Sequence, residues 1–438
     1  MFNTVPFESL YAEPSRNGLT KPKAIRGVGT KIVNMGELYA YPRMLNIVAD
    51  RAPLSQKEKE SYLLKEGDLL FARQSLVPEG AGKCSIFLGD REEVTFESHI
   101  IRVRLNLAKA DPRFYYYYFR SAVGRDVMES IVEQGAGVAG IRASDLSCLE
   151  IDCPDPKDQR SIAHILSILD DKIELNARMN KTLSAMARAI FKSWFVDYDP
   201  VFAKAEGRDT GLPKRIADLF AAGFVDSELG EIPEGWKTQP FTDTVEIIGG
   251  GTPKTSVAEY WNGDIPWFSV VDAPNPTDIW VVGTEKTITR SGLDNSSTKM
   301  LPIGATIISA RGTVGRIALV GAPMAMNQSC YGLRGKVGAL GFYNYFATRE
   351  LVEILQQYAH GCVFDTITQE TLSTITVAVP PGELVDAFEK YMRPILLRMR
   401  SCIMESRTMA NLRDTMLPKL ISGELKAKDA EDCIKRKS

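Results

Sequence analysis

The sequence PDPKDQRSIAHILSILDDKIELNARMNKTLSAMARAIFKSWF, residues 154–195, determines the architecture of this 438-residue chain. After its two opening prolines, apolar residues recur at alternating spacings of four and three, which is typical of a heptad seam along a helix. Asn176 and Asn180 form a polar interruption of this seam. The predicted seam residues are Ile162, Leu166, Leu169, Ile173, Leu183, Ala187, Ile190 and Trp194. A helix of roughly 38 residues spans ~57 Å, which is too long for burial in one small domain.

The chain is duplicated, because landmarks of its first half recur in its second half at an offset of 226 positions. The matched pairs are Gly135 and Gly361, Ile141 and Ile367, Leu146 and Leu372, and Pro154 and Pro380. The same offset predicts a second helix with the seam residues Phe388, Met392, Ile395, Met399, Cys402, Ser406, Met409, Arg413, Met416 and Leu420. We therefore expect two long helices, related by a pseudo-twofold axis and paired antiparallel, so that each covers the seam of the other.

A globular unit precedes each long helix, and its segments are typical of short β-strands. KEGDLLFAR (65–73) resembles PIGATIISAR (302–311) at an offset of 237 to 238, and a helix-like segment occurs in each unit, at 112–133 and 341–359. The predicted fold class is α+β: two mixed α/β domains separated by a pair of long antiparallel coiled-coil helices with pseudo-twofold symmetry. The predicted divisions are domain 1 at 1–155, helix 1 plus connector at 156–235, domain 2 at 236–380, and helix 2 with a basic tail at 381–438.

The composition limits the class of protein. Apolar residues make up 44% and charged residues 25%, which argues against general disorder. Because no apolar run approaches ~20 residues and the first residues lack a signal-peptide pattern, we expect a cytoplasmic protein without a membrane partner. Seven scattered cysteines without a CxxC pair indicate reduced thiols and no structural zinc. The formal net charge of −2 means that any nucleic-acid surface must be a local patch.

The sequence contains no recognisable catalytic motif. No segment matches a P-loop, a nucleophile elbow or a zinc-protease helix, and the three histidines are isolated. Residues 135–140 match GxGxxG, but a helix-like segment precedes them and a strand-like one follows, so a tight turn is the better interpretation. The aromatic run 114–119 follows the helix-start signal Asp111-Pro112, which favours packing on the sheet over base stacking. We predict no catalytic residue and no metal site.

Gly-rich polar loops with isolated basic or amide side chains are the remaining candidates. Arg and Lys donate to guanine, Asn and Gln pair with adenine, and glycines let backbone N–H groups approach phosphates. For any single residue, an ordinary hairpin loop explains the pattern equally well. The candidate DNA-contacting residues are Thr252, Lys254, Arg311, Thr313, Arg316, Asn327 and Gln328 in the second half, and Lys31, Arg73, Gln74 and Lys83 in the first.

Several segments together resemble the specificity (S) subunit of type I restriction–modification enzymes, in the family's order and over essentially the whole chain. The segments are GAGVAGIRASDLSCLEIDCPDPKDQRSIAHILSILDDKIELN (135–176), SWFVDYDPVFAKAEG (193–207), ELGEIPEGW (228–236), VEIIGGGTPKTSVAEYWNGDIPWFSVVD (245–272), ATIISARGTVGRIALV (305–320) and MNQSCYGL (326–333). The family pattern is two target-recognition domains, each followed by a long conserved helix, which matches the duplicated layout.

The resemblance implies a non-catalytic, sequence-specific DNA-recognition subunit. Each target-recognition domain is expected to read one half of a bipartite target in the major groove of double-stranded DNA, while the helix pair fixes the gap between halves. A ~57 Å helix against ~34 Å per duplex turn puts the half-sites one to two turns apart. In the family, two methyltransferase (M) subunits use S-adenosylmethionine, and restriction (R) subunits use ATP and magnesium. We expect none of these cofactors on this chain itself.

Two departures from the family pattern leave parts of this interpretation open. The second helix opens with PPGELVDAFEKY (380–391), whereas PDPKDQRSIAHIL (154–166) is closer to the family's Gln-containing start, so the M-subunit contact near 383–391 is undetermined. The first domain also lacks the GGTPK and IPW elements of the second. Two other functions stay open: a free-standing two-domain DNA-binding scaffold or regulator, and an enzyme whose catalytic centre the motifs do not reveal. The near-zero charge predicts feeble DNA binding by the chain alone, restored by a methyltransferase partner.

Overall fold

The chain forms two compact units in the computed structural model, which describes residues 2–135, 137–275, 277–358 and 366–430. Unit 1 comprises 1–173 and 408–438, and unit 2 comprises 174–407. Both are mixed α/β bodies, as predicted. The expected duplication partner Gly361, the isolated His360 and the basic tail KRKS at 435–438 lie outside the described residues.

Thirteen α-helices occur within these described ranges, and two of them have 40 residues each. They are α1 (Met35–Ala40), α2 (Gln56–Tyr62), α3 (Pro112–Arg120), α4 (Ala122–Glu129), α5 (Ala143–Ser147), α6 (Pro156–Phe195), α7 (Asp199–Ala205), α8 (Lys214–Ala217), α9 (Phe241–Thr244), α10 (Arg290–Asp294), α11 (Phe342–Tyr358), α12 (Gln369–Ser373) and α13 (Gly382–Ile421). The long helices α6 and α13 are the two that the heptad pattern predicts, and each contributes one part to unit 1 and the other to unit 2.

The strands are short, as their β-branched composition predicts. Those of unit 1 are β1 (Asn3–Pro6), β2 (Tyr11–Asn17), β3 (Thr30–Val33), β4 (Arg43–Leu45), β5 (Asp50–Ala52), β6 (Leu69–Ala72), β7 (Gln74–Ser75), β8 (Cys84–Gly89), β9 (Val94–Phe96), β10 (Ile100–Leu105), β11 (Glu133–Gln134), β12 (Ala139–Gly140) and β13 (Glu150–Cys153). Those of unit 2 are β14 (Phe224–Ser227), β15 (Gly230–Pro233), β16 (Lys237–Pro240), β17 (Val245–Gly249), β18 (Trp261–Phe268), β19 (Trp280–Val281), β20 (Thr287–Ile288), β21 (Thr306–Ser309), β22 (Ile317–Val320), β23 (Ala325–Met326), β24 (Cys330–Gly335) and β25 (Thr376–Val379).

The sheets of the two units have the same topology. The main sheet of unit 1 has the order β2-β10-β6-β8-β4, and that of unit 2 has the order β17-β24-β21-β22-β19. In both, the last pair of strands is parallel and the other pairs are antiparallel. The smaller sheets β5-β3-β9 and β1-β13 correspond to β20-β18-β23 and β16-β25. The duplication seen in the sequence therefore extends through these three pairs of sheets, whereas β11-β12-β7 of unit 1 and β14-β15 of unit 2 have no matching sheet among the described residues.

The two long helices pair antiparallel within unit 2. The Asn176 side chain donates to the carbonyl oxygen of Cys402 at 3.3 Å, and further along α6 the ring of Trp194 lies 5.7 Å from that of Phe388. Cys402 is the residue that the 226-residue offset assigns to Asn176 itself. A position meets its own repeat only near a twofold axis, so the pseudo-twofold axis of the helix pair passes close to this contact.

The predicted seam residues all lie away from solvent. Ile173, Leu183, Ile190 and Ile395 are half-buried, as are Ser406 and Arg413. The buried members of the seam are Ile162, Leu166, Leu169, Ala187, Trp194, Phe388, Met392, Met399, Cys402, Met409, Met416 and Leu420.

The predicted helix at 112–133 is instead two helices, α3 and α4. Ser121 separates them because its backbone is extended, with ψ at 165°, and its hydroxyl oxygen accepts from the N–H of Gly124 at 3.2 Å to begin α4. Sequence periodicity does not detect such a cap inside an apolar run. The aromatic run 114–119 is at most 3% exposed, which confirms its predicted packing role.

Candidate nucleic-acid interface

Three loops of unit 2 meet at one edge of its main sheet. Strands β17 and β21 both end beside the first residues of β24. The loops at this edge are 250–254, 310–316 and 327–329. They carry all seven candidates predicted in the second half of the chain: Thr252, Lys254, Arg311, Thr313, Arg316, Asn327 and Gln328.

Loops 250–254 and 327–329 form a continuous surface. A Cβ atom on Gly250 would lie 1.9 Å from the carbonyl oxygen of Asn327, so only glycine permits this backbone approach. The Thr252 hydroxyl donates to the side-chain oxygen of Gln328. The packing of one loop on the other therefore requires the first glycine of the GGTPK motif and holds its threonine beside Gln328.

Ser309 at the end of β21 organises the loop 310–316. Its hydroxyl donates to the carbonyl oxygen of Thr313 at 2.5 Å and accepts from the N–H of Arg316 at 2.8 Å. The side chains of Arg311, Thr313 and Arg316 are exposed. Within the described ranges, no acidic side chain forms an ion pair with Lys254, Arg311 or Arg316, so these positive charges are open to an anionic ligand such as a phosphate.

Lys31, a candidate in unit 1, is engaged in an internal ion pair. Its ammonium group lies 2.9 Å from the buried carboxylate of Asp90 and donates to the carbonyl oxygen of Ile47 at 3.0 Å. The hydrogen bond to Asp90 raises the pKa of Lys31 above its usual value. A DNA contact by Lys31 would have to break this pair.

Arg73, Gln74 and Lys83 lie in the segment that follows β6 in unit 1. Arg73 is half-buried and its guanidinium donates to the carbonyl oxygen of Ser98 at 3.3 Å. Gln74 and Lys83 are exposed, and the Lys83 ammonium lies 5.4 Å from the ring centre of Tyr39. These three residues occupy the edge of unit 1 that corresponds to the three-loop edge of unit 2.

Backbone hydrogen bonds fix the correspondence between the two edges. The N–H of Arg73 donates to the His99 carbonyl at 2.8 Å, as the N–H of Ala310 donates to the Ser329 carbonyl at 2.8 Å. The similarity of KEGDLLFAR to PIGATIISAR allows an offset of 237 or 238 residues, and these hydrogen bonds show that 237 is correct. Arg73 therefore corresponds to Ala310, and Gln74 corresponds to Arg311.

A counterpart of the GGTPK loop exists in unit 1, although the sequence predicts that the element is absent. A Cβ atom on Gly250 would lie 1.9 Å from the carbonyl oxygen of Asn327 and 2.9 Å from that of Met326, and one on Gly18 would lie 2.3 Å from that of Glu97 and 2.3 Å from that of Phe96. The N–H of Leu19 donates to that carbonyl at 2.9 Å, as the N–H of Gly251 does to the Met326 carbonyl at 3.0 Å. GLTKPK at 18–23 therefore occupies the place of GGTPK at 250–254. The shared order of glycine, threonine and Pro-Lys was the available signal, and one inserted lysine obscured it.

Gln159, the glutamine of the family-like helix start, is fully buried. It accepts from the N–H of Asp111 at 2.8 Å and donates to the Pro154 carbonyl at 2.8 Å. These contacts hold the beginning of α3 and explain why a glutamine stands there. The M-subunit contact near 383–391 stays a prediction.

The described residues hold no group of three or more His, Cys, Asp and Glu side chains arranged to bind a metal ion. None of the helices within the described ranges has the length and apolar character needed to span a membrane.

The family model of the type I restriction modification DNA specificity domain matches residues 15–185 and 233–390, which together exceed half of the chain. The chain belongs to this family. Each match begins in a mixed α/β domain and ends within α6 or α13, so the family's repeating unit is the duplicated half described above. The resemblance inferred from the sequence is confirmed. As a member of a DNA specificity family, the chain is a recognition subunit rather than a catalytic one.

Relatives support this assignment over nearly the whole chain. The type I restriction enzyme HindI specificity subunit of Haemophilus influenzae is 26% identical over 405 residues, which are 83% of this chain and 87% of that protein. The putative type I restriction enzyme MjaX specificity subunit of Methanocaldococcus jannaschii is 23% identical over 433 residues, 95% of this chain and 92% of that protein. The crystal structure of an S subunit from M. genitalium has a TM-score of 0.60 at 14% identity over 96% of both chains, which shows a shared fold.

Proposed function

We propose that this chain is the DNA-recognition subunit of a type I restriction–modification complex and that each unit reads one half of a bipartite target. The observation that carries this proposal is the duplicated edge, since both main sheets have the same strand order and end in corresponding polar loops. Two copies of one reading edge suit a target with two half-sites, as dimeric DNA-binding proteins use two recognition elements.

The partners in this proposal are double-stranded DNA, two M subunits and the R subunits. S-adenosylmethionine, ATP and magnesium bind to those subunits and not to this chain. The HindI relative is named as the specificity subunit of a restriction enzyme, which supports a shared complex of this kind. The complex works in the cytoplasm, where it meets the chromosome.

A net charge of −2 limits how strongly the chain alone binds DNA. Neutralisation of phosphates supplies most non-specific affinity, and a few exposed basic side chains in loops supply little of it. We therefore expect M subunits to provide much of the affinity, while this chain provides the choice of sequence.

The test is to delete the chromosomal copy of this chain and to map methylated adenines before and after complementation. We expect methylation to disappear from one bipartite motif and to return with the gene, and two M subunits to co-purify with the chain. An unchanged methylation map, or methyl transfer or DNA cleavage by the purified chain alone, would contradict the proposal. Sequence-specific DNA binding without any methyltransferase partner would instead favour a free-standing scaffold.

A further inference from the structure

The loop edges of units 1 and 2 have the same residue types at some equivalent positions and different residue types at others. We infer that the two groups of positions contact different parts of the DNA. The shared segments 20–23 and 252–254 hold DNA phosphates in both half-sites, whereas Gln74 and Arg311 select bases. This inference rests on the proposed DNA-recognition function and assigns roles to individual residues within it.

The shared part of the two edges is the loop that follows β2 in unit 1 (18–23) and β17 in unit 2 (250–254). The backbone of Gly18 packs against the segment that leads into β10, and the backbone of Gly250 packs against the segment that leads into β24. In both places the distance excludes a Cβ atom. Each glycine leads through one residue to a threonine, Thr20 or Thr252. The glycine and the threonine therefore have the same place in both units, whereas unit 1 has one inserted residue, Lys21, which pairs with Glu58 at 2.8 Å and leaves Lys23 as the lysine after the proline.

Lys23 and Lys254 end these segments and follow a proline. Both side chains are exposed, and neither has an ion-pair partner among the residues that the structure describes. Proline fixes the backbone φ angle before each lysine, which limits the conformational freedom lost on binding. A lysine retained by both edges, although the domains diverge elsewhere, suits a ligand common to every DNA sequence, and that ligand is the phosphate backbone.

Gln74 and Arg311 mark the divergent part of the two edges. Gln74 pairs in the backbone ladder with Gly140, and Arg311 pairs in the same way with Thr366, which is the 226-residue repeat of Gly140. Both side chains are exposed at this equivalent position. Arginine donates twice to guanine, whereas glutamine pairs with adenine through one donor and one acceptor. Different chemistry at one structural position is what two different half-sites require.

The amide pair Asn327-Gln328 has no chemical match in unit 1. Glu97 and Ser98 occupy its place, and the Glu97 carboxylate accepts from the N–H of Met35 at 2.7 Å. Carboxylates are repelled by phosphates, so this position also differs in the contact that it can make with DNA.

The test compares Lys23→Ala, Lys254→Ala and Arg311→Gln in the complex assembled with its methyltransferase subunits. Fluorescence anisotropy on cognate and unrelated duplexes over a series of salt concentrations gives affinity and salt slope, and methylation mapping gives the motif. Matched controls are Lys214→Ala and Arg208→Gln, because both side chains are exposed in the connector. Within the described residues, their ion pairs are with neighbours on their own segment, Asp218 and Glu206.

Each lysine variant is expected to bind cognate and unrelated DNA about 5-fold more weakly or worse, with a salt slope lower by about one and an unchanged motif. Arg311→Gln is expected to weaken cognate binding about 10-fold or more, to leave unrelated DNA unaffected, and to change one base pair in a single half-site. The inference is overturned if a lysine variant changes the motif, or if Arg311→Gln weakens all duplexes alike. If the wild-type complex fails to prefer or methylate a bipartite sequence, the proposed function itself is overturned.

Discussion

Units 1 and 2 each have a main sheet of the same topology that packs with parts of α6 and α13, but the side chains that make this attachment differ in chemistry. In unit 1, Asp170 of α6 accepts from the Tyr117 hydroxyl at 2.7 Å and from the Arg413 guanidinium of α13 at 2.6 Å. In unit 2 the repeat of Asp170 is Leu396, whose carbonyl oxygen accepts from the indole of Trp280 at 2.7 Å. Unit 1 therefore uses a charged network where unit 2 uses an aromatic side chain and the helix backbone.

The contrast extends along both attachment surfaces. Arg43 of β4 forms a second ion pair with Asp171 in unit 1. In unit 2 a cluster of packed rings joins α6, α11 and α13, and its members are Phe191, Trp194, Phe195, Tyr343, Phe346 and Phe388. Burial of aromatic surface stabilises without a specific partner, whereas a buried charge is favourable only while its partner stays in place. The same fold therefore accommodates both kinds of attachment. The aromatic attachment is sensitive to loss of buried surface, and the charged one is sensitive to loss of a single partner.

The aromatic attachment predicts the largest effect. Phe388 is fully buried with four ring centres 5.0–6.3 Å away, so Phe388→Ala is expected to lower the free energy of unfolding of unit 2 by about 3–5 kcal/mol. Urea titration followed by tryptophan fluorescence measures this. Leu397→Ala, on the same helix but 40% exposed, is the control and is expected to change the free energy by no more than about 0.5 kcal/mol. Equal losses in the two variants would contradict the proposed role of the ring cluster.

The charged attachment predicts an intermediate effect. Asp170→Ala leaves the Arg413 guanidinium and the Tyr117 hydroxyl without their acceptor, and is expected to lower the free energy of unfolding of unit 1 by about 2–3 kcal/mol. Hydrogen exchange of the α3 amides measures the loss locally. Asp171→Ala is the matched control, because its side chain is 61% exposed and its ion pair is worth about 1 kcal/mol or less. If both variants have the same effect, Asp170 is not the centre of the attachment.

For the contact of Asn176 across the helix pair in unit 2, we expect a substitution to change the DNA spacing with little change in stability. Asn176 is 1% exposed and donates to the Cys402 carbonyl and to the Glu405 carboxylate, while its own side-chain oxygen accepts no hydrogen bond within the described part of the chain. A buried asparagine in a seam fixes register at the expense of stability. Asn176→Leu is therefore expected to change the free energy of unfolding by about 1 kcal/mol or less, and to broaden the gap between methylated half-sites.

Methylation mapping measures that gap. The control is Asn411→Leu, since Asn411 is exposed on the same helix pair and its side chain forms no hydrogen bond within the described residues. A single unchanged gap length in the Asn176→Leu variant would show that Asn176 does not fix the register of the pair.

Regular features of this fold are predictable from the sequence, because they repeat. Heptad spacing and the 226-residue offset locate both long helices and the antiparallel pairing, and the contact between Asn176 and Cys402 is a consequence of that offset. The break at Ser121 is not predictable in this way, since a single hydroxyl acting as a helix cap leaves the apolar pattern unchanged.

The candidate site is only partly predictable, because register in a sheet depends on backbone pairing rather than on motif similarity. Arg73 and Arg311 both end an Ala-Arg motif, yet the hydrogen-bond ladder equates Arg311 with Gln74. Likewise, Lys31 has the composition of a DNA contact but lies beside Asp90, a partner 59 residues away that no local pattern reveals.

The smallest predicted effect concerns the helix that follows each main sheet. Gln159 accepts from the N–H before α3, whereas buried Glu389 accepts from the N–H groups of Leu340 and Phe342 at the beginning of α11, at 2.7 and 2.8 Å. Burial raises the pKa of Glu389 above its usual value. The folded state therefore holds the proton more tightly than the unfolded state, so this contribution to stability is complete below the usual glutamate pKa and is lost as pH rises through the raised value.

Glu389→Gln removes this titration and gives unit 2 a neutral cap like that of unit 1. Compared with the wild type, the variant is expected to lose less unfolding free energy as pH rises from about 4 to neutrality, measured by urea titration at several pH values. Glu383→Gln, at an exposed position in the first turn of the same helix, is the control and is expected to keep the wild-type slope. A wild-type slope in Glu389→Gln would mean that the hydrogen bonds from the N–H groups of Leu340 and Phe342 offset the burial of this carboxylate completely. The charged cap of unit 2 and the neutral cap of unit 1 would then be equivalent in stability.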